Sequence, residues 1–311
     1  MSGAVVMRFA AGLSLAALAL VACTASAVDD AAGEIEGNAQ AAPVYVSPTP
    51  SKPMADSAVN PVFTLDGELT QGGWLRGTAP TGTVSLALDG EPLMLDGQRR
   101  FFAAFDRDSG SSKTLVATLG NGGRITREIP VSPREWNIER VNVARRSGGM
   151  SDAFWKIREP ELKRINAARS VNAQSDGWTQ DFAWPVTGRI SGRFGSQRIY
   201  RGEPGSYHTG MDITGSTGTP FVAPADGVVV LAAQTPFSLE GYLLMIDHGN
   251  GLNSAFLHCS KIVVKEGDTV KQGQHIGNIG SSGRATGPHL HWGLKWRDAR
   301  LDPLLFVGPM N

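Results

Sequence analysis

All six histidines of the chain, His208, His248, His258, His275, His289 and His291, lie in its last third, and none precedes them. Imidazole is the commonest metal ligand and titrates near neutral pH, so such clustering points to metal or proton-transfer chemistry. Two of them stand in His289-Leu290-His291. In a strand, residues two apart share a face, so both rings would project to one side with Leu290 turned to the core. A second segment, His208-Thr209-Gly210-Met211-Asp212, offers an imidazole and a carboxylate, with Gly210 allowing a close turn between them. His208, Asp212 and one nitrogen from the 289–291 pair make three ligands. Three protein ligands plus a water form a catalytic zinc site, whereas a fourth protein ligand would close it. Neither short pattern is specific alone.

Such ligands need a rigid frame, and the flanking sequence reads as strands. Gly227 to Leu231, Tyr242 to Ile246, Ser254 to Leu257 and Lys261 to Val264 are short apolar runs between glycines. They predict a β-rich domain over residues 181–311. Residues 61–135 also read as strands. Thr83 to Leu88 alternates faces and ends at Asp89-Gly90, a hairpin signal that Asp66-Gly67 and Asp96-Gly97 repeat. Phe101 to Phe105, Thr114 to Leu119 and Arg124 to Val131 are further candidates. About six strands of this length predict a small β-sandwich-like domain serving as a binding, spacing or supporting module. Residues 136–180 form a partly helical connector, with Pro160 suited to a first helical position and Leu162 and Ile165 one turn apart. This helix could pack on either domain or cover and inhibit the active groove. The fold class is mainly β.

The N-terminus carries an export signal. Arg8 precedes an uncharged apolar run from Phe9 to Val21, too short to span a bilayer. Leu20-Val21-Ala22-Cys23 looks like a lipobox, which would make residues 1–23 a signal peptide and Cys23 a lipid anchor. Ala25-Ser26-Ala27 suits ordinary signal cleavage instead. Residues 24–60 are an Ala/Pro-rich tether with little to bury. The second cysteine is Cys259, so a lipidated Cys23 leaves no intramolecular disulfide. Lys+Arg and Asp+Glu balance at 29 each, which leaves no basic field to hold nucleic acid.

Together the motifs resemble the lysostaphin-like, LytM-type zinc metallopeptidases of family M23 over about Trp184 to Pro303. Trp184-Pro185-Val186, Gly188-Arg189-Ile190-Ser191 and Phe194-Gly195 open the match. Tyr207 to Ile213, Ala223 to Val229, Ile246 to Gly251 and Leu257-His258 continue it. Gly267-Asp268, Val270, Gly273, Ile276-Gly277 and Thr286 to His291 close it. The resemblance implies an antiparallel β LytM/lysostaphin-like peptidase domain with a long groove. It implies one zinc per chain on His208, Asp212 and His291, and makes His258 and His289 the two non-ligand catalytic histidines. Zinc would activate water and polarise an amide carbonyl, while the two imidazoles would share general acid/base and oxyanion duties.

The implied substrate is peptidoglycan, cut within its stem or cross-link peptides by an exported envelope protein, periplasmic or an outer-membrane lipoprotein. In a Gram-negative wall the bond would be the D-Ala to diaminopimelate cross-link. A non-catalytic LytM-type activator of wall amidases is the first rival, and a protein whose envelope-binding sandwich carries the biology is the second. His248 and His275 are expected to be structural. Asp226 and Asp247 are read as turn residues, and Tyr207 as core packing or an oxyanion donor. Trp292 stands where Phe is common in the family, and Cys259 where a small or apolar residue is usual. Cys259 should face away from His258, so it is not expected among the ligands.

Overall fold

The hairpin signal at Asp89-Gly90 is met in the computed structural model: Asp89 (φ 50°) and Gly90 (φ 88°) both lie in the left-handed region, as a tight two-residue turn requires. The structure describes residues 62–145 and 151–310. The expected signal peptide, both of its cleavage sites and the tether lie outside the described residues.

Seven strands follow in order: β1 (Thr64–Glu68), β2 (Trp74–Thr78), β3 (Thr83–Leu88), β4 (Glu91–Leu93), β5 (Arg100–Ala104), β6 (Ser112–Leu119) and β7 (Arg124–Pro130). They form two antiparallel sheets, β1-β2-β5 and β4-β3-β6-β7. Asp66-Gly67 departs from expectation, for it lies inside β1 opposite Arg76 and Leu75. A side chain at Gly67 would strike the Trp74 carbonyl, so the glycine answers a close backbone approach and not a turn.

The connector departs further. Residues Ile138–Val141 form strand β8, and the helix α1 spans Asp152–Arg169, capped by Ser151, whose Oγ accepts from the Phe154 amide at 3.2 Å. Pro160 therefore sits inside the helix, not at its start. It removes one helical hydrogen bond, and tertiary contacts hold the helix together across it. Ile165 and Ala168 pack on Leu231, Phe237, Leu243 and Met245. So α1 lies against a face of the second sheet system.

That system begins with β9 (Ile190–Gly192), β10 (Gln197–Tyr200), β11 (Glu203–Tyr207) and β12 (Met211–Thr214). It continues with β13 (Pro220–Val222), β14 (Gly227–Ala232), β15 (Tyr242–Asp247), β16 (Leu252–Cys259), β17 (Lys261–Ile262) and β18 (Thr269–Val270). Last come β19 (His275–Asn278), β20 (His289–Trp296) and β21 (Ala299–Leu301). The main sheet runs β18-β14-β15-β16-β20-β12-β9, with β21 beside β20. Strand β8 pairs parallel with β10, which in turn pairs with β11. Chain from the expected connector thus builds part of the second β system. Among the described residues, no helix is long and apolar enough to cross a membrane.

Both β systems contribute to one hydrophobic cluster. Phe102 of β5 is fully buried, with ring centroids 6.5 Å from Trp74, 6.1 Å from Trp296 and 6.4 Å from Phe306. Trp74 Nε1 donates to the Leu305 carbonyl at 2.7 Å, fastening the first system to the chain's last turn. The two systems should therefore unfold together. Phe102→Ala is expected to cost about 3–5 kcal/mol. Far-UV circular dichroism and tryptophan fluorescence should follow one coincident urea transition in both proteins; separated transitions would contradict a shared core.

Candidate metal centre and active site

Register positions the cluster. Strands β12 and β20 run antiparallel with Asp212 directly opposite His291 and Thr214 opposite His289. Leu290 is fully buried between the two histidines, so both rings emerge on the same side of β20. His208 arrives from the turn between β11 and β12. Its Nε2 lies 3.1 Å from Asp212 Oδ1 and 3.1 Å from His291 Nδ1, and His291 Nδ1 lies 2.9 Å from Asp212 Oδ1. His208, Asp212 and His291 are the group of donors among the described residues that could hold a metal.

The donor triangle fits zinc. Ligands about 2.0–2.1 Å from a tetrahedral ion stand about 3.3 Å apart, close to these edges. Two nitrogens and one carboxylate oxygen are a donor set zinc accepts, and three protein ligands leave a corner open. His208 Nδ1 donates to the Arg193 carbonyl at 3.1 Å, which leaves the Nε2 lone pair for a metal. Two glycines leave room for the rings. A Cβ at Gly210 would lie 2.6 Å from both His291 Nε2 and the Trp292 carbonyl oxygen. A Cβ at Gly192, opposite Asp212 in β9, would strike the Asp212 carboxylate. Burial opposes charge on Asp212, but the adjoining His208 and His291 rings outweigh it and hold the carboxyl well below the usual range. The carboxylate is therefore ionised and ready to ligate.

His258 and His289 flank the triangle without joining it. Their ring centroids are 4.9 Å apart, and His258 lies 6.3 Å from His291. His258 Nδ1 donates to the Ser282 carbonyl at 2.8 Å, and His289 Nδ1 to the Gly287 carbonyl at 2.8 Å. Each ring is left with Nε2 as an acceptor; that of His289 stands 3.7 Å from Asp212 Oδ1. Burial pushes the His258 pKa down to about 4, against the opposing pull of the Ser282 carbonyl, so at pH 7 the ring is a neutral proton acceptor. His258 has φ 63°, a left-handed conformation rare for any side chain except Asn, Asp and His. Holding it costs about 1–2 kcal/mol, supplied by its surroundings.

These groups line a groove of about 620 Å³. One wall carries Ile190 to Arg193, and the other Leu239, Glu240 and Leu257. Asn137 and Glu139 at β8 extend the lining, and Glu139 accepts from Arg198 Nε at 2.6 Å. Tyr207 lines the groove while its ring packs under Arg107, 4.6 Å from the guanidinium, and beside Phe194. Burial raises its pKa to about 12, so the hydroxyl stays protonated. Arg107 also donates to the Gly195 carbonyl at 3.1 Å, and the Gly195 amide donates to the His208 carbonyl at 2.8 Å. A residue of the first β system thus braces the segment that carries His208. The bare sequence of Arg107 offers no signal of this role, nor does that of Glu240 or Ser282.

The remaining residues lie elsewhere. His248 is fully buried. It donates from Nδ1 to the Asp226 carbonyl at 2.8 Å and accepts at Nε2 from Ser254 Oγ at 2.7 Å; that oxygen also receives the Trp292 indole at 3.3 Å. His275 is exposed on β19. Asp247 accepts from the Gly249 and Ala173 amides, and Asp226 pairs with Lys271 and the Gln272 amide, far from a ligand-supporting role. Cys259 is buried with its thiol pushed up to about 12 by desolvation, and stands outside the metal-binding group.

Residues 206–303 match the model of peptidase family M23. This domain belongs to that family. The match spans every residue of the triangle and both flanking histidines. The chain is 43% identical over 110 residues to the peptidoglycan DD-endopeptidase ShyA of Vibrio cholerae, covering 34% of this chain and 24% of the relative. It is 33% identical over 143 residues to the murein hydrolase activator NlpD of Salmonella typhimurium, covering 45% of this chain and 34% of that protein. The chain thus spans about a quarter to a third of the length of these curated relatives. A crystal structure from Pseudomonas aeruginosa described as a peptidase M23 superposes with a TM-score of 0.58 at 26% identity, over 78% of this chain and 96% of that one. That coverage exceeds the peptidase domain, so the likeness reaches into the preceding β system.

Two outcomes follow from the geometry. Gly210→Ala is expected to weaken zinc binding about 10–100-fold, as loss of outer support does at other sites, read by chelator competition; unchanged affinity would refute the close approach. Burial drives the His248 pKa down to about 4, against 6.5 unperturbed. Between those values the unfolded chain binds a proton that the folded one excludes, so this contribution is complete above pH 6.5 and lost as pH falls towards 4. Between pH 7 and 4 the wild type should lose up to roughly 3 kcal/mol more than His248→Gln in urea unfolding. Parallel pH profiles would contradict it.

Proposed function

We propose that this chain is an exported zinc metalloendopeptidase that hydrolyses peptide bonds in the stem or cross-link peptides of peptidoglycan. The observation that carries the reading is the triangle of His208 Nε2, Asp212 Oδ1 and His291 Nδ1 beside two histidines with a committed Nδ1. Zinc held there would lower the pKa of a bound water towards about 7 and polarise the scissile carbonyl. His258, neutral and buried, presents an unprotonated Nε2 that can accept a proton from the bound water. His289 is suited to face the developing oxyanion or to return a proton to the departing amine. Tyr207, protonated at the groove edge, offers a further donor. The groove accepts an extended chain, and the ShyA relative supports a peptidoglycan cross-link as the target, the D-Ala to diaminopimelate bond in a Gram-negative wall. The Cys23 motif supports a lipid-anchored envelope location, with the Ala25-Ser26-Ala27 site giving a free periplasmic form instead.

The NlpD relative favours a second reading, an activator of wall amidases without turnover of its own. The complete set of ligands and flanking histidines argues against it, because an activator needs none of them.

His208→Ala, Asp212→Ala and His291→Ala should each abolish zinc binding and cleavage. His258→Ala and His289→Ala should retain one zinc per chain and lose cleavage by about 100-fold or more. Mass spectrometry of muropeptides before and after digestion reports both turnover and the bond cut. Zinc-loaded wild type that leaves muropeptides unchanged but stimulates an amidase would establish the activator instead.

A further inference from the structure

His258 occupies a left-handed backbone conformation at the end of β16, so something outside the strand must hold it there. Its amide donates to the Glu240 carbonyl at 2.8 Å. Glu240 belongs to the turn after β14, closed by mutual backbone hydrogen bonds between Phe237 and Gly241. The helix α1 grips this turn at two points. Arg158, only 4% exposed, donates from both terminal nitrogens to the Glu240 carboxylate at 2.6 and 2.7 Å. Glu161, one turn later, accepts from both the amide and the hydroxyl of Ser238 at 2.6 Å each. Arg158 and Glu161 also bond each other at 3.1 Å. The same helix backs Leu257, the neighbour of His258, through the cluster around Ile165.

A guanidinium taken out of water is a poor means of adding stability, since apolar packing of equal volume does as well. What the bidentate pair supplies is direction: a planar fork meets a carboxylate in one orientation. Both helix residues lie before the 206–303 match, in the connector.

We propose that Arg158 is a positioning residue: through the Glu240 carboxylate it fixes the turn whose carbonyl holds the His258 amide, and so aims that imidazole at the metal-binding triangle. The connector helix is then part of the catalytic apparatus and not a spacer. Arg158 touches neither substrate nor ligands, and its influence on rate rests on the endopeptidase reading above.

The test uses the full chain loaded with zinc. Arg158→Met, Arg158→Lys and the double change Arg158→Met with Glu240→Gln are compared with wild type. Zinc content, kcat and KM on purified peptidoglycan, thermal midpoint and hydrogen exchange of the His258 amide are measured. Arg158→Met should keep one zinc and a KM within about twofold, lose kcat at least about tenfold, and speed exchange at His258 by a similar factor. The uncharged double variant should recover the thermal midpoint without recovering kcat, and Arg158→Lys should recover part of both. If Arg158→Met does not fold, the double variant is read in its place. Wild-type kcat and wild-type exchange in a folded variant would overturn the proposal, as would loss of zinc in step with kcat. If zinc-loaded wild type cuts nothing, the endopeptidase reading falls by itself, and exchange at His258 alone decides whether Arg158 holds the turn.

Discussion

The antiparallel register between β12 and β20 is the constraint on which the site depends. It sets Asp212 opposite His291, and their donor atoms meet at 2.9 Å. Side chains alternate with a period of two, so a slip of one residue would turn His289 and His291 into the core and bring Leu290 out. Burial of Leu290, Ile213 and Met211 forbids that slip. The apolar face of the strand pair thereby fixes the polar one. The glycines beside the donor triangle follow from the same closeness: β9 and the 208–212 turn approach its side chains so nearly that no further side chain fits between.

Around this pair the fold applies restraint from both sides. Arg107 reaches from the first β system between the rings of Trp136 and Tyr207 and holds the Gly195 carbonyl. Arg158 reaches from α1 to the turn that holds His258. One guanidinium braces the segment of a candidate ligand, the other the segment of a flanking histidine, and both come from outside the 206–303 match. The first β system and the connector are thus continuous with the groove, which accords with a single aromatic cluster running from Trp74 through Phe102 to Phe306.

Much of this was legible in the residues. The mainly β fold, most strands, the Asp89-Gly90 hairpin and the shared face of His289 and His291 follow from periodicity and turn chemistry, both local in sequence. The gathering of His208, Asp212 and His291 was legible only as a joint pattern, since neither short motif is specific alone. What escaped was nonlocal or ran against a local preference. Asp66-Gly67 carries a turn signature, but close backbone contact with Trp74 keeps it extended. Pro160 favours a helix start, yet the Ser151 cap begins the helix eight residues earlier, and its anchors on Ser238 and Glu240 carry it through. The pairing of β8 with β10 joins segments some sixty residues apart, which no local pattern encodes.

The buried charges on α1 fit this division of labour. A helix interrupted by Pro160 has limited intrinsic stability, so its place is set by what it binds. Apolar contacts of Ile165 and Ala168 supply attachment, but such contacts are non-directional and would tolerate sliding along the sheet. The fork of Arg158 on Glu240 tolerates little, because both of its hydrogen bonds require one register of helix against turn. A single displaced helical residue would break both hydrogen bonds to Glu240 and leave Arg158 with Glu161 alone as its partner. Apolar packing thus holds the helix to the sheet, and the ion pair selects the one position in which the Glu240 carbonyl meets His258.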